Sequence, residues 1–171
     1  MFKSILGRLF WTYAIILMLV FTSVAVTVGI FVNHFAISTH MNNVISVSQN
    51  LEYWTGSLQI EDTDYRARAA YKQLLRSWGS FLNSDIIVTN SNGEVLESTT
   101  SSATVPDELV HIVTNGNIVK KYSTLNGSYK NKMMVIGVPI KYQGGIVGAS
   151  FYVTGIFDIR KTTLELFMMV I

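Results

Sequence analysis

Histidine is the side chain of this sequence best suited to bind a metal or to act as a general base near neutral pH. The chain has three histidines, His34, His40 and His111, and no two of them have the spacing of three or four residues at which a helix presents two ligands to one metal. There is no cysteine, which excludes thiolate ligands and disulfides. No serine, histidine and acid can be assigned to a triad from their spacing. The sequence therefore predicts no metal site, no cofactor and no catalytic residue.

The glycine-rich run GGIVG at residues 144–148 does not predict a nucleotide site either. A dinucleotide-binding loop follows a strand and opens a helix, whereas the residues after these glycines alternate in the manner of a strand. We interpret the run as part of a hairpin.

A ligand-binding surface is the kind of site that the residue types favour. Six polar or aromatic side chains could converge on one face of a sheet: Arg66, Tyr71, Tyr122, Tyr129, Lys132 and Tyr152. A row of cations at helical spacing, Arg68, Lys72 and Arg76, predicts either a solvated helix face or contact with lipid phosphates or an anionic ligand. Residues 33–160 carry ten basic and ten acidic side chains, so the net charge does not select a ligand class.

The composition places part of the chain in a membrane. Of its 171 residues, 49% are hydrophobic and 14% are charged, against roughly 25% charged residues in an average soluble protein. The formal charge of +2 is too small for a nucleic-acid surface, which collects many lysines and arginines on one face. We therefore expect membrane lipid, and not nucleic acid, among the partners.

Residues 9–32 are expected to form a first transmembrane helix. All 24 of these residues are uncharged, and roughly 20 are enough to cross a ~30 Å hydrocarbon layer as a helix. Lys3 and Arg8 precede the segment and the next charged residue is Glu52, which places residues 1–8 in the cytoplasm by the positive-inside rule. A signal peptide would have a shorter apolar core of about 7–15 residues, so we expect an uncleaved anchor in the cell membrane.

Residues 161–171 are expected to begin a second transmembrane helix. They become increasingly hydrophobic, but a helix of this length reaches only about half way across a bilayer. The alternative is a short terminal helix that packs on the domain. Arg160 and Lys161 oppose the positive-inside bias of a second span. Residues 33–160 then form the extracytoplasmic domain.

The residues after the first span continue as a helix with an apolar seam. The members of the seam are spaced alternately by three and four residues: Val44, Val47, Leu51, Trp54 and Leu58. Two interpretations remain open. The seam packs on the helix's own domain, or it joins two copies of the chain in a parallel dimer and continues into the transmembrane helix.

The remaining pattern predicts an α+β domain. Apolar residues three and four apart indicate a second helix over residues 67–82. From Asp85 the period changes to two, and Asn-Gly turns at 92–93 and 126–127 separate alternating runs. Pro106 opens a short helix between the two hairpins. We expect an antiparallel sheet of about five strands flanked by helices.

The last strand, within residues 146–157, has two faces because strand side chains alternate. One face is apolar and is expected to meet the helices: Val147, Ala149, Phe151 and Val153. Tyr152 lies on the other face, where we expect it to be tolerant of truncation and open to a ligand. The strand runs almost without a linker into the second membrane segment, so movement of the sheet would reach the membrane directly.

Four stretches of this sequence resemble the input half of bacterial two-component sensor histidine kinases. They are the N-terminal SILGRLFWTYAIILMLVF, the hairpin IIVTNSNGEVLES, the helix start VPDELV, and VIGVPIKYQGGIVGASFYV ahead of an apolar segment. The resemblance covers essentially the whole chain and implies a PAS-like or single-Cache domain outside the membrane. Chemotaxis receptors and diguanylate cyclases resemble the sequence through the same module.

The resemblance implies a membrane module that senses a signal and repacks its helices. Such a module would bind a small ligand or an envelope partner and act as a homodimer. It would reach a response regulator through kinase domains that lie outside these 171 residues. The alternatives are the input module of a chemotaxis receptor or diguanylate cyclase, and a self-contained membrane-tethered interaction protein.

Overall fold

One unbroken helix, α1 (Ile5–Ile60), joins the apolar N-terminal segment to the folded domain in the computed structural model of the protein. The structure describes residues 5–60, 65–101 and 104–155. The 56 residues of α1 extend over roughly 80 Å at the helical rise of 1.5 Å per residue. The segment 161–171, expected to begin a second span, lies outside the described ranges.

The N-terminal half of α1 is an exposed apolar surface. Phe10 and Met18, for example, are 71% and 72% exposed. Thr12, Thr22 and Thr27 each donate a hydroxyl hydrogen bond to the carbonyl oxygen four residues earlier, so these polar groups are satisfied within the helix. By its length and composition, this helix is long and apolar enough to cross a membrane.

The apolar seam of α1 packs inside the chain. Val44, Val47 and Leu51 are 0–3% exposed and belong to a core cluster with α2 and the sheet. Trp54 is 46% exposed, and the side chain of Leu58 lies outside the described part of the chain. Three of the five seam residues therefore pack inside their own chain and are not available to a second copy.

The homodimer stays a prediction, with a changed contact surface. The polar positions Asn42, Ser46 and Gln49 of α1 are exposed. If two copies meet along α1 at these exposed positions, cysteines at Ser46 or Gln49 are expected to form intermolecular crosslinks in membranes. A cysteine at the buried Val47 would not.

Two further helices and five strands complete the described chain. In order they are α2 (Tyr65–Leu82), β1 (Asp85–Asn90), β2 (Val95–Ser98), α3 (Asp107–Thr114), β3 (Val119–Ser123), β4 (Met133–Tyr142) and β5 (Gly145–Thr154). The strands form one antiparallel sheet in the order β2-β1-β5-β4-β3, so β2 and β3 are its edges. The α+β architecture predicted from the sequence is confirmed.

Both faces of the sheet are covered. Helices α1 and α2 pack on one face, over a cluster that includes Ile86, Ile136 and Tyr152, and α3 packs on the other, over a cluster that includes Val135 and Phe151. Phe151 and Tyr152 point to opposite faces because they are neighbours in a strand. Each is 0% exposed.

The expectations for the last strand need two corrections. Ala149, Phe151 and Val153 share a face as predicted, but Val147 packs with the cluster of Tyr152. Tyr152 does not lie on an open face, because α1 and α2 cover it. The pattern of alternation predicted two faces correctly and could not tell that both are buried.

Candidate functional site

Helix α2 and the edge strand β2 leave a cavity of about 430 Å³ between them. Its lining comes from α1, α2, β1 and β2, and consists of Thr55, Arg68, Tyr71, Asn90, Val95, Leu96 and Glu97. The volume lies within the range of about 300–1,000 Å³ that is usual for small-molecule sites. We refer to it as the Tyr71 cavity.

Tyr71 is the predicted site residue that the structure places in this cavity. Its side chain is 3% exposed, and its hydroxyl oxygen is 2.6 Å from that of Thr55. Burial is the main cause that raises the pKa of Tyr71 above its ordinary value, so the phenol stays protonated and can donate a hydrogen bond. Since Thr55 belongs to α1 and Tyr71 to α2, the pair joins the two helices at the cavity.

The walls of the Tyr71 cavity carry opposite charges. Arg68 lies on α2 and Glu97 on β2, where the Glu97 carboxylate is 3.5 Å from the ammonium group of Lys72. The Asn90 side chain is engaged in the β1–β2 turn, because it accepts the backbone N–H of Glu94 and donates to the Glu94 carboxylate. A ligand in this cavity therefore meets one guanidinium, one carboxylate and two hydroxyl groups.

A second cavity, of about 650 Å³, adjoins the first along β2. The two share Val95, Leu96 and Glu97. The second adds two cations from α2 and a run of hydroxyl side chains, namely Lys72, Arg76, Ser98, Thr99, Thr100, Ser101 and Thr104. We call the two cavities together the α2–β2 groove.

The six residues predicted to form a ligand site do not converge. Arg66 is exposed in the first turn of α2 and is not among the residues that line the Tyr71 cavity. Tyr122 is exposed on β3, at the opposite edge of the sheet from β2, and Lys132 is exposed just before β4. Only Tyr71, of the six, lines the groove.

Tyr129 is half-buried and Tyr152 is fully buried, and neither lines the groove. The Tyr129 hydroxyl donates to Oδ2 of Asp85 at 2.7 Å, and burial raises the pKa of Tyr129. The Tyr152 hydroxyl lies near Ser48 and Ser150 but makes no hydrogen bond to any described residue. Burial raises the pKa of Tyr152 to about 12. An orphaned hydroxyl in a core is an unfavourable contact, not an open binding position.

Side-chain hydrogen bonds connect α1 to β5 inside this apolar core. The hydroxyls of Ser48 and Ser150 are 3.1 Å apart, and Nε2 of His40 is 3.1 Å from Oγ1 of Thr154, which is also 2.5 Å from the hydroxyl of Ser84. Burial lowers the pKa of His40, which keeps its imidazole neutral near pH 7. These contacts fix the position of α1 against the strand.

Sequence reasoning missed several residues of the groove. Arg68 stood out as part of a basic row, but Thr55 and Glu97 carried no signal, because their proximity to Tyr71 depends on how α1, α2 and β2 pack. The polar pair of Ser48 and Ser150 was also missed. Small hydroxyl side chains can lie on either side of a helix or strand, so periodicity does not single them out.

No metal centre emerges from residues 5–60, 65–101 and 104–155. Within these ranges no three His, Asp or Glu side chains form a group that could hold an ion. His111 shares α3 with Glu108, but the Glu108 carboxylate is 3.0 Å from the ammonium group of Lys121.

Comparison with known proteins finds similarity in structure and not in sequence. No family model and no curated protein matches the chain. The structure is similar to the sensor domain of the Vibrio cholerae histidine kinase DctB, with a TM-score of 0.52 and 9% identity over 75% of this chain and 56% of that one.

Two chemoreceptor domains align less closely. The ligand-binding domain of Campylobacter jejuni Tlp3, in complex with L-norvaline, has a TM-score of 0.47 and 13% identity over 75% of this chain and 59% of that one. The second is the ligand-binding domain of the Pseudomonas aeruginosa PAO1 amino acid chemoreceptor PctC in complex with GABA. It has a TM-score of 0.47 and 11% identity over 77% of this chain and 64% of that one.

The similarity to DctB shows the fold of the chain. The described domain has the fold of that sensor domain, which is the α+β fold that the resemblance in the sequence implied. The chain spans a little over half the length of that structure.

Proposed function

We propose that this chain is the signal-sensing input module of a membrane receptor that binds a small ligand in the Tyr71 cavity. The observation that carries the proposal is the position of Thr55, which lines the cavity and belongs to α1. The same helix continues without interruption into the apolar segment. The sensor-domain fold supports the proposal, and a sensor histidine kinase, acting on a response regulator, is the parent protein that we favour.

Ligand binding changes the contact between α1 and α2 in this proposal. A polar ligand group that takes the hydrogen bond of Tyr71 competes with Thr55 for the phenol. The end of α1 at the cavity then repacks, and α1 turns about the Ser48–Ser150 contact with β5, which lies about two helical turns closer to the apolar segment. A rigid helix passes such a change along its length, and shifts of about 1–2 Å are sufficient in receptors that switch by helix movement.

A hybrid receptor tests the link between the cavity and α1. Residues 1–160 replace the sensor half of a histidine kinase that controls a reporter gene, so that the second transmembrane helix and the cytoplasmic half both come from that kinase. Tyr71→Phe removes the hydrogen bond to Thr55, which is worth about 1 kcal/mol, so we expect the basal output to change by about fivefold in either direction. Tyr122→Phe is the matched control, because Tyr122 is an exposed tyrosine on β3.

The outcome of this experiment is decisive when both variants accumulate in the membrane. An unchanged output for Tyr71→Phe would show that the contact of the two helices at the cavity does not reach the kinase. An equal change for Tyr122→Phe would show a non-specific effect on the domain. Either result would remove the proposed role of the cavity in signalling.

The orientation of the chain is a further part of the proposal. Lys3 and Arg8 before an uncharged segment support an orientation with the N-terminus in the cytoplasm and the sheet outside the cell membrane. A reporter enzyme that works only in the cytoplasm, fused after Asn126, should therefore be silent. The same enzyme fused before Lys3 should be active. Activity at Asn126 would invert the topology and exclude an extracytoplasmic sensor.

A further inference from the structure

The row of cations on α2 forms one wall of the α2–β2 groove. Arg68 lines the Tyr71 cavity, and Lys72 and Arg76 line the second cavity. Residues four apart on a helix have Cβ atoms about 6 Å apart, so the row presents charges at intervals of about 6 Å over about 12 Å. This row is a feature of the binding groove and not only a solvated helix face.

The groove has more positive than negative charge. Among its described lining residues Glu97 is the one carboxylate, and it stands against three cations. Glu97 lies within ion-pair distance of Lys72, whereas neither Arg68 nor Arg76 forms an ion pair with another described side chain. Guanidinium groups bind carboxylates and phosphates through two parallel hydrogen bonds, so both arginines suit an anionic group of a ligand.

The opposite wall offers hydrogen-bond donors. The hydroxyl of Ser98 accepts the backbone N–H of Thr100, which leaves its own hydrogen available, and Ser101 lines the same cavity. The hydroxyl of Thr99 is different, since it accepts the backbone N–H of Ile86 and donates to the Ile86 carbonyl. The hydroxyls of Ser98 and Ser101 can therefore donate hydrogen bonds to a ligand in this cavity.

The distance from the predicted end of the span at residue 32 argues against lipid phosphates as the occupant. Thr55, which lines the same cavity as Arg68, is 23 residues beyond residue 32, which corresponds to about 35 Å along α1. Arg76 is about 12 Å from Arg68 along α2, so it stays more than about 20 Å from the end of the span even if α2 runs straight back. The headgroup layer extends only about 5–8 Å beyond the hydrocarbon core.

We propose that the α2–β2 groove binds an elongated small-molecule anion that carries at least two negative groups about 6 Å or more apart. One group contacts Arg68 in the Tyr71 cavity, and another contacts Arg76 near the hydroxyl side chains of the second cavity. The two long side chains can incline toward each other, so their guanidinium groups can come closer together than the distance of about 12 Å between their Cβ atoms. The assignment rests on the proposed function, because it names the ligand class of the same site. The assignment defines the ligand by its charge and its length, and it does not include membrane lipid.

Direct binding to the full chain in detergent micelles tests this assignment. The probes are inorganic tripolyphosphate and orthophosphate, compared at constant ionic strength, with choline as a cationic probe. We expect tripolyphosphate to bind at least tenfold more tightly than orthophosphate, because it can bridge two cations. Arg68→Gln and Arg76→Gln should each weaken tripolyphosphate binding by about tenfold, and Lys130→Gln, which removes an exposed cation outside the groove, should not.

Several results would overturn the assignment. These are the absence of tripolyphosphate binding, equal affinity for the two phosphates, tighter binding of choline, and an equal loss of affinity in Lys130→Gln. The last would indicate diffuse attraction to the surface. The hybrid receptor separates this failure from that of the proposed function: if Tyr71→Phe changes kinase output but no anion binds, the ligand class is wrong and the sensing role stands. If the anion binds and the output does not change, the ligand class stands and the proposed sensing role is wrong.

Discussion

Replacing Tyr152 with alanine is expected to destabilise the domain by about 3–5 kcal/mol, the usual cost of removing a large buried aromatic side chain. Tyr152 is 0% exposed beneath α1 and α2, in a cluster with Ile86 and Ile136. A domain of this size has a total stability of about 5–15 kcal/mol. We therefore expect loss of the cooperative unfolding transition, or a much lower melting temperature, in circular dichroism of the chain in micelles.

Tyr152→Phe is expected to have the opposite effect. It keeps the aromatic volume and removes a hydroxyl that makes no hydrogen bond to a described residue. A buried polar group without a partner costs about 1–3 kcal/mol, so its removal should raise the melting temperature. A lower melting temperature for Tyr152→Phe would show that the hydroxyl has a partner, and an unchanged one for Tyr152→Ala would show that α1 and α2 do not cover this face.

The position of Tyr152 in the core shows what the alternation of side chains along a strand can and cannot predict. Alternation correctly separated Phe151 from Tyr152, because neighbouring strand residues must point to opposite faces. It could not show how many layers cover the sheet. The long helix was predicted as well, but its seam was compatible with either its own domain or a second copy. Burial of Val44 and Leu51 in the cluster of Tyr152 shows that this part of the seam packs on its own domain.

The candidate site was less predictable than the fold, because the sequence does not show how the helices and strands pack against one another. Tyr71 and Arg68 belong to one helix, and their spacing was visible in the sequence. Glu97 and Thr55 reach the cavity from β2 and α1, and their approach is set by the packing of three elements. Arg66 and Lys132 have suitable chemistry but lie elsewhere. Residue type selects candidates for a site, and only tertiary packing selects among them.

Gly148→Ala is expected to produce the second large effect, a loss of roughly 3 kcal/mol. Gly148 pairs with Asn90 in the β1–β5 ladder, and a Cβ at this position would overlap the backbone carbonyl oxygen of Thr89. Because the obstructing atom belongs to the backbone, no change of rotamer can make room, and the two strands must move apart. Strand β1 holds β2 in the sheet, so the groove should lose its wall together with the stability.

Gly145→Ala is the matched control, since Gly145 begins the same strand and a Cβ there would come no closer than 3.9 Å to the carbonyl oxygen of Tyr142. A side chain fits at this position, and the reduced freedom of the unfolded chain should make the change neutral or stabilising by up to about 1 kcal/mol. Denaturant unfolding of both variants in micelles measures the difference, and tripolyphosphate binding reports on the groove. If Gly148→Ala unfolds at the same denaturant concentration as Gly145→Ala, then β1 does not pair with β5 in this register, and the wall of the groove formed by β2 has to be placed differently.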